Sequence, residues 1–142
     1  MRSSQNNDCL RLPKAIRLAL VDHLQAVYPE EGCGLLAGSR AEQRATTLYT
    51  VENVAHNRRT QFSMAPHTQL SVFTEIEAAG LDLLAIYHSH PNGPETPSAT
   101  DVAQAYYPDL VQVIVSLASN RPKLRAFWLS QTNLHEIPLI FE

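Results

Sequence analysis

The sequence predicts one mixed α/β domain, in which helices flank a single central, mixed β-sheet. Two stretches carry apolar residues at helical spacing, and several apolar or β-branched runs have the length of strands. The chain has 142 residues, of which 44% are hydrophobic and 18% are charged, and it contains no repeat or linker. These values are typical of one globular domain. We expect this domain to span residues 10–142, after a polar, disordered segment of residues 1–9.

The predicted helices and strands follow one another without long gaps. Pro13 begins the first helix, whose apolar face ends near Tyr28. A second helix should run from Pro66 to Ala79, after an extended segment over residues 52–62. Pro138 predicts that the last strand lies at a sheet edge, because proline donates no hydrogen bond to a ladder. The predicted strands are CGLLA from Cys33, Ala45–Val51, Leu81–Tyr87, Leu110–Leu117, residues 124–130 and Asn133–Phe141.

Charge and composition exclude several classes of partner. The formal net charge of −3 offers no basic surface, so we expect no nucleic-acid partner. No run approaches the ~18 apolar residues of a membrane helix, and the N-terminus lacks the apolar core of a signal peptide, so we expect a cytoplasmic protein. Two cysteines cannot form a disulfide framework. We expect Cys9 to be exposed and Cys33 to be a small buried residue, with a ligand or redox role as its alternative.

The segment IYHSHPNGPETPSATD carries the clearest chemical pattern. His88 and His90 end an apolar strand, and the two-residue period of a strand puts both imidazoles on one face, as half of a zinc site. A stiff loop of prolines and a glycine follows and turns the chain. Ser98 and Asp101 then fit the start of a helix, where they can act as a helix cap. Asp101 can also be a third zinc ligand, and the two roles are compatible.

This pattern resembles the signature of the JAMM (MPN-plus) metalloproteases: His-x-His, seven residues, Ser, two residues, Asp. That family also has a glutamate before a Gly-Leu-Leu strand, which Glu31 matches in PEEGCGLLAG. The resemblance covers the chain from about Leu10 onwards. It implies an MPN/JAMM-like sheet flanked by helices, related in architecture to the cytidine-deaminase-like sandwich.

The residues and the resemblance together predict one catalytic zinc per chain. His88, His90 and Asp101 would hold the ion and leave a fourth position for water, whose pKa zinc can lower from roughly 15.7 to about 7. Glu31 would be the general base, and Ser98 would donate a hydrogen bond to the oxyanion of the scissile carbonyl. His23 and His67 are expected to have no ligand role.

The resemblance implies a peptidase or isopeptidase that cleaves after the C-terminal Gly-Gly of a ubiquitin-like or sulfur-carrier protein. We expect the glycine tail to add as a strand to a sheet edge beside the site. One alternative is a non-catalytic MPN scaffold that mediates assembly, against which the complete ligand set weighs. A zinc deaminase would require His-x-Glu and Pro-Cys-x-x-Cys, which the sequence lacks.

Overall fold

The computed structural model of the protein describes residues 8–142. Within this range every helix is too short or too polar to cross a bilayer. The helices are α1 (Lys14–Ala26), α2 (Pro66–Ala78) and α3 (Ala99–Ala103). The strands are β1 (Leu10–Leu12), β2 (Cys33–Ser39), β3 (Arg44–Val51), β4 (Asp82–His90), β5 (Val111–Ser116), β6 (Lys123–Leu129), β7 (Leu134–Ile137) and β8 (Leu139–Phe141).

The strands form one eight-stranded mixed sheet in the order β7-β6-β5-β4-β2-β3-β1-β8. β4 lies between β5, with which it is parallel, and β2, with which it is antiparallel. The parallel pairs β1–β3 and β1–β8 lie towards one edge. A single mixed sheet with helices packed against it confirms the predicted fold class.

The two long helices cover opposite faces of the sheet, because successive side chains of a strand point to opposite sides. Leu20 and Leu24 of α1 belong to the same buried cluster as Tyr87 of β4. Val72 and Ile76 of α2 belong to a second cluster, on the face that carries the even-numbered residues at the end of β4. The two histidines of β4 therefore lie on the α2 side of the sheet.

Gly34 allows β2 to lie close to its neighbours. A Cβ atom there would be 2.4 Å from both the Tyr49 carbonyl oxygen and the Tyr87 hydroxyl oxygen. A larger residue would push β2 away from its neighbours, so a glycine is needed at position 34 for the central pairing of the sheet.

The N-terminal part of the fold differs from the prediction. Residues 1–9 were predicted to be disordered, and residues 1–7 of this segment lie outside the described residues. Cys9 was expected to be exposed, which is wrong: it is 9% exposed, and its thiol donates a hydrogen bond to Gln43 Oε1 at 3.6 Å. The short strand β1 that follows was not predicted, because three residues are too few to show a period.

The predicted last strand is two strands. Pro138 separates β7, which pairs with β6, from β8, which pairs with β1. These two strands occupy the opposite edges of the sheet, so one residue connects the two edges. Pro138 therefore does lie at an edge, as predicted, but it ends one edge strand and begins the other.

The segment over residues 52–62 is also not extended as predicted. It forms bends and turns, and its two ends are joined by a hydrogen bond from the Val54 amide to the Ser63 carbonyl at 2.8 Å. An isolated bridge between Asn53 and Met64 closes the loop. The β-branched and polar residues of this stretch lack the alternation that a strand needs. Backbone bonds to the Asn57 carbonyl close its turn, and the Asn53 side chain accepts amides at the two ends of the loop.

Candidate metal centre and active site

The C-terminal end of β4 brings two imidazoles together. His88 and His90 are 1% and 5% exposed, and their Nε2 atoms are 3.1 Å apart. The Nδ1–H of His90 donates to the Pro94 carbonyl oxygen at 2.6 Å, which leaves the Nε2 lone pair of that ring directed at the centre. Phe62 stacks on His88 with 4.4 Å between ring centroids and 25° between ring planes.

The loop after β4 returns Asp101 to the histidines. The Ser98 hydroxyl oxygen accepts the Asp101 amide at 3.0 Å, and the Ser98 amide donates to Asp101 Oδ2 at 2.9 Å, so the two residues form a capping box at the start of α3. Asp101 Oδ2 lies 3.2 Å from His88 Nε2 and 3.0 Å from His90 Nε2. The capping role and the approach to the histidines therefore occur together.

Two nitrogens and one carboxylate oxygen thus form a triangle with edges of 3.0–3.2 Å. Zinc lies about 2.0–2.1 Å from nitrogen and oxygen ligands, and the edge of the corresponding tetrahedron is about 3.3 Å. The buried triangle fits a zinc ion with only a small outward movement of its corners. Its donor set of two imidazoles and one carboxylate is one that catalytic zinc accepts.

Glu31 lies between α1 and β2 and completes the cluster. Its carboxylate, His88 and His90 offer ligand atoms that all lie within 4.8 Å of one another. Glu31 is 5% exposed, and its Oε1 makes no hydrogen bond among the described residues. The carboxylate is thus close enough to ligate an ion or to act on a water beside it.

Burial and charge set the protonation of these groups. Burial would raise the pKa of Asp101, but the hydrogen bonds with His88 and His90 outweigh it and hold that pKa well below its usual value. Burial lowers the pKa of His88, whereas for His90 the contacts with Asp101 outweigh burial and raise the pKa. Burial raises the pKa of Glu31 to about 7, with the nearby His90 opposing and Asp101 adding to the shift. A carboxylate with this pKa can both take and release a proton near neutral pH.

A cleft of about 430 Å³ leads from the surface to one side of this cluster. His88 and Asp101 line it at the metal centre. The loop over residues 54–64 forms one wall through residues 54–56 and 61–64, among them Phe62, and residues 104–107 form the other wall. A separate cavity of about 420 Å³ is lined by Glu31, Glu30, Glu52, His23 and Arg58, among others, so solvent can approach Glu31 from this side.

Strand β4, which carries the two histidines, offers no free edge beside the site. Both ladders of β4 are occupied, by β2 and β5, and the edge strands are β7 and β8. Addition of a substrate tail as a strand of β4 is therefore excluded, and its addition elsewhere beside the site stays a prediction. An extended peptide would have to lie in the cleft, between its two walls.

The remaining candidates lie elsewhere. His23 Nδ1 lies 2.8 Å from the Tyr87 hydroxyl, on the opposite face of the sheet from the metal centre, and His67 is exposed in the first turn of α2. Cys33 is fully buried, and its thiol donates to the Val51 carbonyl at 3.4 Å, as expected of a small core residue. Sequence reasoning missed Phe62, since only the stacking on a histidine distant in the chain shows its place at the site.

Comparison with known families places the chain in one class. The family model described as prokaryotic homologs of the JAB domain matches residues 13–130. The protein belongs to this family, which confirms the resemblance read from its motif. Its sheet is similar to that of a JAB1/MPN domain protein from Archaeoglobus fulgidus, with a TM-score of 0.63 and 15% identity over 95% of this chain and 99% of that one.

Three curated relatives are peptidases or are named for conjugate cleavage. A desampylase from Haloferax volcanii is 40% identical over 62% of this chain, and a probable TtuB-protein conjugate cleaving protease from Thermus thermophilus is 38% identical over 68%. The chain spans 63% of the length of each of these two relatives. A CysO-cysteine peptidase from Mycobacterium tuberculosis is 33% identical over 85% of this chain and 83% of its own length.

Proposed function

We propose that the protein is a zinc-dependent hydrolase that cleaves after the C-terminal Gly-Gly of a ubiquitin-like or sulfur-carrier protein. The observation that carries the proposal is the buried triangle of His88, His90 and Asp101, with Glu31 beside it. The desampylase, the TtuB-protein conjugate cleaving protease and the CysO-cysteine peptidase support the reaction and the kind of substrate.

His88, His90 and Asp101 would hold one zinc ion. When bound there, zinc would lower the pKa of water from roughly 15.7 to about 7 and polarise the scissile carbonyl. The contact between His90 Nδ1 and Pro94 fixes the orientation of one ligand ring, and the stacking of Phe62 on His88 fixes that of the other. One carboxylate among the three ligands leaves the ion with positive charge for catalysis.

Glu31 would be the general base. Its carboxylate would accept a proton from the attacking water and then pass that proton to the departing nitrogen of the substrate. The burial that raises its pKa to about 7 makes it a stronger base than an exposed carboxylate. Its position within 4.8 Å of the histidine ligand atoms allows it to reach a water at the centre.

Ser98 would stabilise the oxyanion. Its hydroxyl oxygen accepts the Asp101 amide, which uses one lone pair and leaves the hydroxyl hydrogen free to donate. A serine in this position would donate to the negative oxygen that forms as water adds to the scissile carbonyl. Loss of one such donor typically lowers the rate by about 10²–10³.

The cleft would select the substrate. Two successive glycines carry no side chains, so a Gly-Gly tail can lie close to both walls of the cleft and approach the centre. Backbone groups of the tail would form hydrogen bonds with the cleft walls, because β4 has no free edge for pairing. The proposal covers an isopeptide bond to lysine and a peptide bond to a small amino acid such as cysteine.

The test uses carrier proteins whose Gly-Gly tail is extended by cysteine or joined to the side chain of lysine. They are incubated with zinc-loaded protein, and the products are weighed by mass spectrometry. The expected product ends at the second glycine, and replacement of that glycine by leucine should stop cleavage. Glu31→Gln serves as the inactive control. Intact carriers alongside cleavage of unfolded peptides at other positions would refute the proposed substrate, and an inert zinc-loaded protein would refute the proposed reaction.

A further inference from the structure

A buried amide side chain lies next to the segment that carries Glu31. Asn53 follows β3 and is 8% exposed. Its Nδ2 group lies within hydrogen-bond distance of three main-chain carbonyl oxygens, those of Glu31 at 2.8 Å, Gln61 at 3.0 Å and Arg58 at 3.4 Å. The Glu31 amide donates in turn to the Arg58 carbonyl at 2.7 Å. One side chain thus joins the Glu31 segment to the loop over residues 54–64.

The other end of the same amide organises that loop. Asn53 Oδ1 accepts the amide of Ala55 at 3.0 Å and the amide of Ser63 at 3.1 Å, at the two ends of the loop. Between these ends the loop forms one wall of the cleft and carries Phe62, whose ring stacks on His88. Asn53 therefore contacts the main chain of both the general base and the cleft wall.

A second buried residue holds the Glu31 segment from the other side. Ser89, which is 0% exposed, lies between the two histidines of β4. Its hydroxyl accepts the Gly32 amide at 2.9 Å, and its own amide donates to the Gly32 carbonyl at 3.0 Å. These bonds hold Gly32, and so the Glu31 segment, against β4, but they do not reach the cleft wall. A variant of Ser89 should therefore disturb the position of Glu31 and leave the loop in place.

These main-chain bonds matter because the Glu31 carboxylate has little anchoring of its own. Its Oε1 has no hydrogen-bond partner among the described residues. The place of the carboxylate relative to His88 and His90 therefore depends on where the backbone of Glu31 is held. A displacement of about 1 Å in a catalytic group can lower a rate by as much as 10².

We propose that Asn53 is a positioning residue that couples the general base to the substrate-binding cleft. Through Nδ2 it joins the main chain of Glu31 to the middle of the loop, and through Oδ1 it holds the two ends of that loop, which carries Phe62 against His88. The inference rests on the proposed function for the role of Glu31. It predicts that loss of the Nδ2 donor alone lowers kcat more than it raises KM, and that loss of Oδ1 as well raises KM further.

The kinetic test separates these two ends. Asn53→Asp keeps the oxygen that holds both ends of the loop but loses the donor to Glu31 and to the middle of the loop. At pH 8 its kcat should therefore fall by about 10- to 100-fold, with a smaller change in KM than in Asn53→Ala. Asn53→Ala loses both ends and should also raise KM severalfold. Ser89→Ala should lower kcat alone. Asn57→Ala, which changes an exposed asparagine of the same loop that does not line the cleft, is the matched control and should change neither constant.

Rates are expressed per bound zinc, so that a smaller folded or loaded fraction does not imitate a lower kcat. Asn53→Ser provides a second deletion variant should Asn53→Ala fail to fold. A wild-type kcat and KM in the Asp and Ser variants, or equal changes in both constants for every Asn53 variant, would overturn the inference while the proposed function stands.

Amide hydrogen exchange in the metal-free protein gives a readout that does not need activity. In Asn53→Asp, the amide of Glu31 should exchange at least tenfold faster than in wild type, whereas the amide of Ser63 should stay protected. In Asn53→Ala or Asn53→Ser, both should exchange faster. Unchanged exchange of the Glu31 amide in all Asn53 variants would overturn the coupling. These outcomes hold even if wild-type protein cleaves no Gly-Gly carrier, so the failure of the proposed function is distinguishable from the failure of this inference.

Discussion

Replacing Glu31 with glutamine is expected to stabilise the metal-free protein above neutral pH. Burial raises the pKa of Glu31 from 4.5 to about 7 in the folded chain, and the unfolded chain has no such burial. Between these two values the folded protein holds a proton that the unfolded protein has released, so the free energy of unfolding falls as the pH rises. Glutamine has no proton to lose and avoids this penalty.

The magnitude follows from the size of the shift. At 1.36 kcal/mol for each pKa unit, the ionised carboxylate destabilises the fold by about 3 kcal/mol at most. Solvent in the adjacent cavity screens the charge in part, so we expect a destabilisation of about 2 kcal/mol. The penalty should be absent below pH 4.5, grow as the pH rises and be complete above about pH 7.

Urea unfolding in a chelating buffer measures this effect. At pH 8 the Glu31→Gln midpoint should exceed that of wild type by about 1 M urea, and at pH 4.5 the two midpoints should nearly coincide. Glu30→Gln, a neighbouring partly exposed carboxylate, is the matched control and should change stability by no more than about 0.5 kcal/mol. Equal midpoints for Glu31→Gln and wild type at pH 8 would refute the reasoning that burial of this carboxylate destabilises the fold.

Three further predictions follow from the metal centre. His88→Ala and Asp101→Ala should lose most of the zinc that elemental analysis measures, whereas Glu31→Gln should keep the zinc and lose turnover. Full zinc occupancy in both ligand variants would contradict the assignment of the ligands. Ser98→Ala should lower kcat by about 10²–10³ in steady-state assays and destabilise the fold by about 1 kcal/mol through the lost cap, and near-normal kcat would leave Ser98 with capping alone. Phe62→Ala should release zinc faster to a competing chelator, because one face of the His88 ring loses its support, and an unchanged release rate would argue against that support.

The local pattern of the sequence was sufficient to predict most of the site region. His88 and His90 share a face because a strand has a period of two residues, and that relation is visible without any tertiary contact. Ser98 and Asp101 are joined by a capping box, which is also local. The long-range placement of Glu31 near them depended on the family resemblance, since a carboxylate far upstream carries no local sign of its partner. The structure brings its carboxylate close to both histidines.

Other features depend on contacts that no local pattern reveals. Asn53 binds the carbonyl of Glu31, 22 residues away, and in the sequence it is one polar residue in a polar stretch. Pro138 indicated an edge strand, but the pairing of β8 with β1 joins the two ends of the domain and cannot be read from either segment alone. Cys9 is buried for the same reason, because β1, which follows it, is held by a strand from the other end of the chain.

The pairing of β1 with β8 also determines how the fold should respond to mechanical force. The two strands are parallel and pair through Leu10 with Leu139, Arg11 with Ile140 and Leu12 with Phe141. Tension applied before β1 and beyond β8 pulls them in opposite directions along their length, so the bonds between them bear the load together. Tension applied at Lys123 and Ile137 instead opens the antiparallel pair β6–β7 one bond at a time. Single-molecule extension should therefore require more force in the first geometry than in the second, and a protein-unfolding motor that pulls from either side of the domain would first load this pair in shear.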